Sequence, residues 1–119
     1  MGLTQISGTL GENAAVKLLK KKGYEILERN FRKKYGELDI IAKKDDSIIF
    51  VEVKLRSTKD FGTAAEAVTF KKQQRIIRTA RAYIVQKRLD CAFRFDVIEV
   101  YHKGLSITEV NHIESAFYA

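Results

Sequence analysis

Residues 36–57 restrict this chain more than any other stretch. Two apolar, β-favouring runs, 37–42 and 48–55, flank the turn-forming Asp45-Asp46-Ser47, and together they read as a β-hairpin. The second run, Ile-Ile-Phe-Val-Glu-Val-Lys-Leu, is hydrophobic enough for the middle of a sheet. An ionised Glu or Lys is costly there unless paired or coordinated. Alternation nevertheless sets Glu52 and Lys54 side by side, opposite an unbroken apolar face of Ile49, Val51, Val53 and Leu55. In the first strand it sets Asp39 with Glu37 and Ile41, and Leu38, Ile40 and Ala42 on the other face. Two carboxylates and a lysine converging on one face of a central hairpin have the character of a hard-metal site with an ammonium beside it.

The 119 residues suit a single domain over 1–119, with residues 1–8, which carry no periodic pattern, expected to be mobile. An apolar fraction of 45% is that of a globular protein and argues against disorder. No apolar run reaches the roughly eighteen residues of a membrane span, and the start lacks the apolar segment of a signal peptide. The expected setting is therefore cytoplasmic, with no membrane partner. A lone Cys91 cannot make an internal disulfide, fits a reducing compartment and reads as a small core residue near a strand. Lys and Arg number 22 against 15 acidic residues, a net charge of +7 that favours a polyanionic partner, nucleic acid above all.

Before the hairpin, Thr9 with Glu12 three positions on is a capping-box pattern for a helix running to about Lys22, ended by Gly23. Its core face holds Ala14, Ala15, Leu18 and Leu19. Glu12 lies at the edge of that face, as a cap or as an acid aimed at something beneath the helix. A first strand follows over 24–31, and Arg29-Asn30-Phe31-Arg32-Lys33-Lys34 makes a basic turn into the hairpin. After the hairpin, 56–63 has loop composition with Phe61 exposed. Residues 65–88 then carry the longest helical pattern, with Phe70, Ile76, Ile77, Ala80, Tyr83 and Ile84 on one face. Gln73 falls within that face, where its amide needs a partner, and Lys72 lies at the border. Lys71, Arg75, Arg78 and Arg81 form a basic stripe opposite, most simply the solvated side of a helix packed on a sheet. Strands over 93–101 and 105–113 close the chain as a hairpin at or near a sheet edge. Asp96 reads as a structural hydrogen-bond acceptor. His102 and His112, lacking metal-ligand spacing, are assigned to the surface.

Mg²⁺ and Mn²⁺ take hard oxygen ligands, and Mg²⁺ needs only one or two carboxylates beside water and substrate phosphate. Asp39 and Glu52 on adjacent strands meet that need, and the carbonyl of Val53 can add a neutral oxygen. Lys54 would stand near the attacking water and the scissile phosphate, to orient the one or neutralise charge on the other. The implied reaction is phosphodiester hydrolysis; the plain alternative is a buried ion pair.

The same residues resemble the PD-(D/E)xK nuclease superfamily, archaeal Holliday junction resolvases in particular. Gly11-Glu12-x-x-Ala15, Gly36-Glu37-Leu38-Asp39-Ile40-Ile41, Phe50-Val51-Glu52-Val53-Lys54-x-Arg56, Lys72-Gln73 and Arg94-Phe95-Asp96-Val97 are similar to the YraN-type family of uncharacterised endonuclease-like proteins. The resemblance spans nearly the whole chain. It implies an α/β, restriction-endonuclease-like core, a mixed central sheet flanked by helices in the order α-β-β-β-α-β-β. It further implies a Mg²⁺- or Mn²⁺-dependent endonuclease acting on DNA, branched or structured DNA included. Asp39 and Glu52 fall on the superfamily's acidic positions, Lys54 on its lysine and Glu12 on its helical acid. Glu37, Arg56, Lys72 and Gln73 stand around them as supporting or substrate-binding positions. The superfamily's Pro before the Asp is Leu38 here. Related resolvases act as dimers, which admits a homodimer; a non-catalytic nucleic-acid-binding module of the same fold is the alternative.

Overall fold

The computed structural model describes residues 8–57 and 68–119. Helix α1 (Gly8–Lys21) leads into strands β1 (Glu25–Lys33), β2 (Gly36–Lys44) and β3 (Ser47–Arg56), followed by helix α2 (Phe70–Lys87) and strands β4 (Ala92–Lys103) and β5 (Ser106–Phe117). The five strands form one sheet in the order β1-β2-β3-β4-β5. Neighbours pair antiparallel except β3 and β4, which run parallel. The architecture is the expected α/β fold with a mixed sheet, and β3 is its central strand. No helix among the described residues is long and apolar enough to cross a membrane.

The hydrophobic residues divide into two layers, one on each side of the sheet. On the first, Ala15, Val16 and Leu19 of α1 pack against Ile40, Ala42, Ile49, Val51, Ile98 and Val100. On the second, Ile76, Ile77, Ala80 and Tyr83 of α2 cover Leu38, Ile41, Ile48, Phe50, Phe95 and Val97. Stacked rings tie three strands together across that side, Phe50 on Phe95 at 5.5 Å and Phe95 on Phe117 at 5.3 Å. Leu19 is fully buried, and truncating it to Ala would cost about 2–5 kcal/mol.

Both helices end by the same device. Gly23 takes φ +89°, its amide donates to the Lys20 carbonyl at 3.0 Å, and the Tyr24 amide donates to the Leu19 carbonyl at 2.9 Å. This paired arrangement is the reason a glycine follows α1. Arg88 does the same for α2 at φ 53°, without glycine's freedom. At the start of α2 the Thr69 hydroxyl accepts the Lys72 amide at 3.2 Å.

Several sequence expectations are corrected. Thr9 lies inside α1 and not before it, so it is no N-cap, and Glu12 has other partners, described below. The mobile start expected over 1–8 lies outside the described residues up to position 7, and Gly8 is helical. The expected loop with Phe61, and a helix start at Ala65, also lie outside them. Phe70 is 74% exposed, because it opens α2 after the cap while Val68, before the cap, takes the buried place. His112 is not a surface residue: its side chain is 3% exposed and meets Asp96 at 2.7 Å. Pairing with Ile98 sets it on the α1 side, beneath the ring of Tyr24, where Lys22 Nζ meets Nδ1 at 2.7 Å. Asp96 also accepts from Arg94 and the Ser115 amide, and these bonds with His112 hold its carboxyl below the usual range although burial pushes the other way. Cys91 is half-buried against the α2-side core.

Candidate functional site

The hairpin is regular over half its length. Backbone pairing of β2 with β3 runs from Lys44 opposite Ser47 to Ile40 opposite Val51. Beyond that point the Asp39 carboxylate, not a main-chain carbonyl, accepts the Val53 amide at 2.8 Å. The exchange of a ladder bond for a side-chain bond also breaks the alternation of β2. Leu38 and Ile41 lie on the α2 side, while Ile40 and Ala42 lie on the α1 side. The expectation that Leu38, Ile40 and Ala42 share a face is therefore corrected.

The convergence of Asp39, Glu52 and Lys54 on one face is corrected with it. Asp39 opens into a cleft of about 310 Å³ on the α1 side, with Glu12, Asn30, Glu37 and Val53 among its walls. Glu52 lies on the α2 side of β3, where Lys72 of α2 approaches its Oε2 at 3.5 Å. The two carboxyl groups meet across the seam that opens where pairing stops, close enough to hydrogen-bond to one another.

Burial is the largest influence on both acids. It pushes Asp39 above the usual carboxylate range, with the charges of Glu37 and Glu12 adding to it, against the Val53 amide and the Glu52 side chain. Burial, and then the neighbouring charge of Asp39, push Glu52 up to about 8, and Lys72 offsets only part of this. Each carboxyl therefore resists ionisation beside the other, and the two titrate as a coupled pair.

Glu12 reaches the same cleft because of Gly11. A Cβ at position 11 would run into the Leu55 side chain, so glycine lets α1 lie directly on β3. The Glu12 carboxylate is 10% exposed and is clamped through Oε1, by Arg29 Nε at 2.8 Å and Asn30 Nδ2 at 3.2 Å. Asn30 is at φ 54°, a left-handed conformation that Asn tolerates better than most residues. Oε2 has no partner among the described residues. Arg29 and Asn30 stood in the sequence as part of a basic turn, and their clamping of a helix residue 17 or 18 positions earlier has no local signature.

Lys54 follows Glu52 on the α2 side of β3, half-buried, with no hydrogen bond or ion pair to a described residue. Its register partner on β4 is Glu99. Glu99 was not among the residues singled out from the sequence, although a Glu within Val-Ile-Glu-Val carries the same signal as Glu52 within Val-Glu-Val. It is 4% exposed and accepts from Arg56, Tyr101 and Asn111. Burial pushes Glu99 upward, but the bonds from Asn111, Arg56 and Tyr101 outweigh it and hold the carboxyl below its ordinary value. Arg56 is accordingly a buried support of the strand that carries Lys54. Glu37 pairs with Arg32 at 2.9 Å on the rim. Gln73 donates to the Val68 carbonyl at 2.9 Å, closing the first turn of α2.

Among the described residues, no three His, Cys, Asp or Glu side chains form a group able to hold a metal ion. The donor set is two adjoining carboxylates, with Val53 among the residues lining the cleft. Such a set fits Mg²⁺ or Mn²⁺, which complete their shells with water and phosphate oxygens, and is too hard and too small for a closed zinc site.

Comparison with known proteins places this chain among relatives of similar length. The sequence profile of the uncharacterised protein family UPF0102 matches residues 11–100. A UPF0102 protein of Clostridioides difficile is 52% identical over 111 residues, covering 92% of this chain and 95% of the relative. One from Caldicellulosiruptor saccharolyticus is 49% identical over 112 residues, covering 92% and 95%. Another, from Caldanaerobacter subterraneus, is 48% identical over 113 residues, covering 92% and 93%.

Proposed function

The chain belongs to the uncharacterised protein family UPF0102, and within that family we propose that it is a metal-dependent endonuclease of the PD-(D/E)xK kind, hydrolysing phosphodiester bonds in DNA. The observation that carries this reading is the Asp39–Glu52 pair, two adjoining, half-buried carboxyl groups at the point where pairing stops in a central hairpin. A structural ion pair has no use for two adjoining acids, since each raises the cost of ionising the other. A divalent cation bound by Asp39, Glu52 and the Val53 carbonyl would supply Lewis acidity and a water of lowered pKa.

The remaining work falls to side chains of this protein. Lys54, two residues beyond Glu52 on the same side of β3, has no partner among the described residues, and its ammonium would orient the attacking water or neutralise charge gathering on the phosphorus-bound oxygens. Glu12, clamped by Arg29 and Asn30, holds a free carboxylate oxygen at the mouth of the cleft, suited to orienting water or ion. Lys72, which meets Glu52 at 3.5 Å, would be available to a phosphate oxygen if a bound cation took over the charge of Glu52.

The test is cleavage of a labelled panel of duplex, single strand, flap, four-way junction and RNA with Mg²⁺ or Mn²⁺, wild type beside Glu52→Gln. Cutting by wild type alone supports the endonuclease and names its substrate. Binding without cutting under either metal rejects it in favour of a non-catalytic nucleic-acid-binding module, a reading that draws on the net charge of +7.

A further inference from the structure

A strongly basic groove lies where two distant segments meet. Arg32 and Lys33 at the end of β1 and Lys34 of the β1–β2 turn form one wall of a groove of about 880 Å³. Lys71, Lys72, Arg75 and Arg78 of α2 form the other, and among the described residues Glu37 is the only acidic one lining it. The wall-to-wall distance is fixed by Gly36, where a Cβ would stand 2.8 Å from Thr79 Oγ1 and 3.3 Å from the Arg75 carbonyl. The stripe on α2 is thus one side of a built concavity and not merely the solvated back of a helix.

Three features separate this groove from an ordinary soluble surface. Lys34, Lys71 and Arg75 make no ion pair with a described residue, although Asp and Glu are plentiful in the chain. Lys71 and Lys72 occupy the first turn of α2, which contains no acidic residue, at the positive end of the helix dipole, where cations are disfavoured. A local cost of this kind marks a position selected for something other than stability. Finally, the groove is continuous with the carboxylate site: Arg32 and Glu37 line both hollows, and Lys72 lines the groove while pairing with Glu52 at 3.5 Å.

We infer that the groove between the β1–β2 turn and α2 is the track for the phosphate backbone of a nucleic-acid strand running up to the Asp39–Glu52 site. Lys34, Lys71 and Arg75 hold phosphates along the track, and Lys72 receives the phosphate next to the scissile one. The chemistry is sequence-independent, because cations that contact phosphate read charge and spacing, not bases. This inference rests on the nucleic-acid reading of the carboxylate site, and its test separates the two.

Binding of a fluorescent oligonucleotide, duplex or single-stranded, would be titrated over a series of salt concentrations in the Glu52→Gln background, which prevents cutting. The variant Lys34→Gln/Lys71→Gln/Arg75→Gln would be compared with Lys17→Gln/Lys20→Gln/Lys21→Gln, exposed positions of α1. The groove variant is expected to bind at least tenfold more weakly. Its log–log salt slope on duplex should be shallower by about 0.9 for each phosphate contact removed. The α1 variant should match the parent. Lysine acetylation footprinting of the unsubstituted chain supplies a readout that no folding defect can mimic: bound oligonucleotide should protect Lys34 and Lys71 and leave Lys17 and Lys20 reactive. Equal binding by the groove variant, or protection of α1 instead, overturns the inference. Loss of binding with the groove variant, in a protein that cuts nothing, retains the track and removes the nuclease.

Discussion

The Asp39 carboxylate accepts the Val53 amide at 2.8 Å, one step past the last backbone pair of β2 and β3. A single side chain thereby satisfies a strand amide that the ladder has abandoned. Asp39→Asn preserves an acceptor at that position while removing the charge. The expected outcome is a fold within about 1 kcal/mol of the parent, since one charge-assisted bond becomes a neutral one. Cleavage should nevertheless fall at least 100-fold. Thermal melting and the nuclease panel, run together, check both halves.

Glu52 gives the site a pH signature. Its carboxyl is raised in the folded chain, to about 8, from an ordinary value of 4.5. Between those values the folded state binds more protons than the unfolded one, so this group's contribution to stability falls as pH rises through the window. Glu52→Gln removes that penalty. Urea unfolding should show the variant more stable than wild type by about 2 kcal/mol at pH 8. The two should converge near pH 4.5, and a constant difference across the range would contradict a raised Glu52 carboxyl. Addition of Mg²⁺ should raise the melting temperature of wild type at pH 8 and leave Glu52→Gln little changed.

Arg29 orients Glu12 through its Nε and reaches Asn13 with Nη2 at 2.6 Å. A lysine offers a point charge in place of that fork. Arg29→Lys is expected to lower cleavage about 10- to 100-fold, the range seen when the support of a site residue is removed. The fold should survive, because the arginine is 37% exposed. Activity and melting temperature moving together would instead indicate a purely structural clamp.

Glu99→Gln tests the support beneath Lys54. The side chains of Arg56 and Glu99 are 7% and 5% exposed, and removing the carboxylate that meets a buried guanidinium costs about 3 kcal/mol. Glu99 has a depressed carboxyl pKa, so its contribution is present above the ordinary carboxylate range and is lost as pH falls through the lowered value. Denaturation at pH 7 should show the deficit, and denaturation in strong acid should show it shrinking. No deficit at pH 7 would mean that the pair is not holding β3 to β4.

The strands, the two helices and their order were legible in the sequence because periodicity is local. A run such as Ile49, Val51, Val53 and Leu55 declares its buried face within eight residues, and the α1-side layer uses these four residues as expected. Gly23 likewise announced the end of α1, since only a left-handed residue closes that turn without strain. The charges at Asp39, Glu52 and Lys54 stood out for the same reason, as groups that an apolar strand cannot carry unpaired.

What the sequence could not decide was every relation between segments far apart in the chain. Strict alternation placed Asp39 and Glu52 on one face. Tertiary structure set them on opposite sides of a broken ladder, where they still adjoin and Asp39 replaces a backbone acceptor. His112 looked like a surface residue until β5 carried it under Tyr24 beside Asp96. The basic stripe of α2 looked solvated until the β1–β2 turn, about 40 residues earlier, closed a groove against it. Local pattern fixes which face of each element is buried, since burying apolar surface is a short-range decision. Which charges finally meet depends on how those faces stack and where a ladder stops, and that is a property of the assembled chain alone.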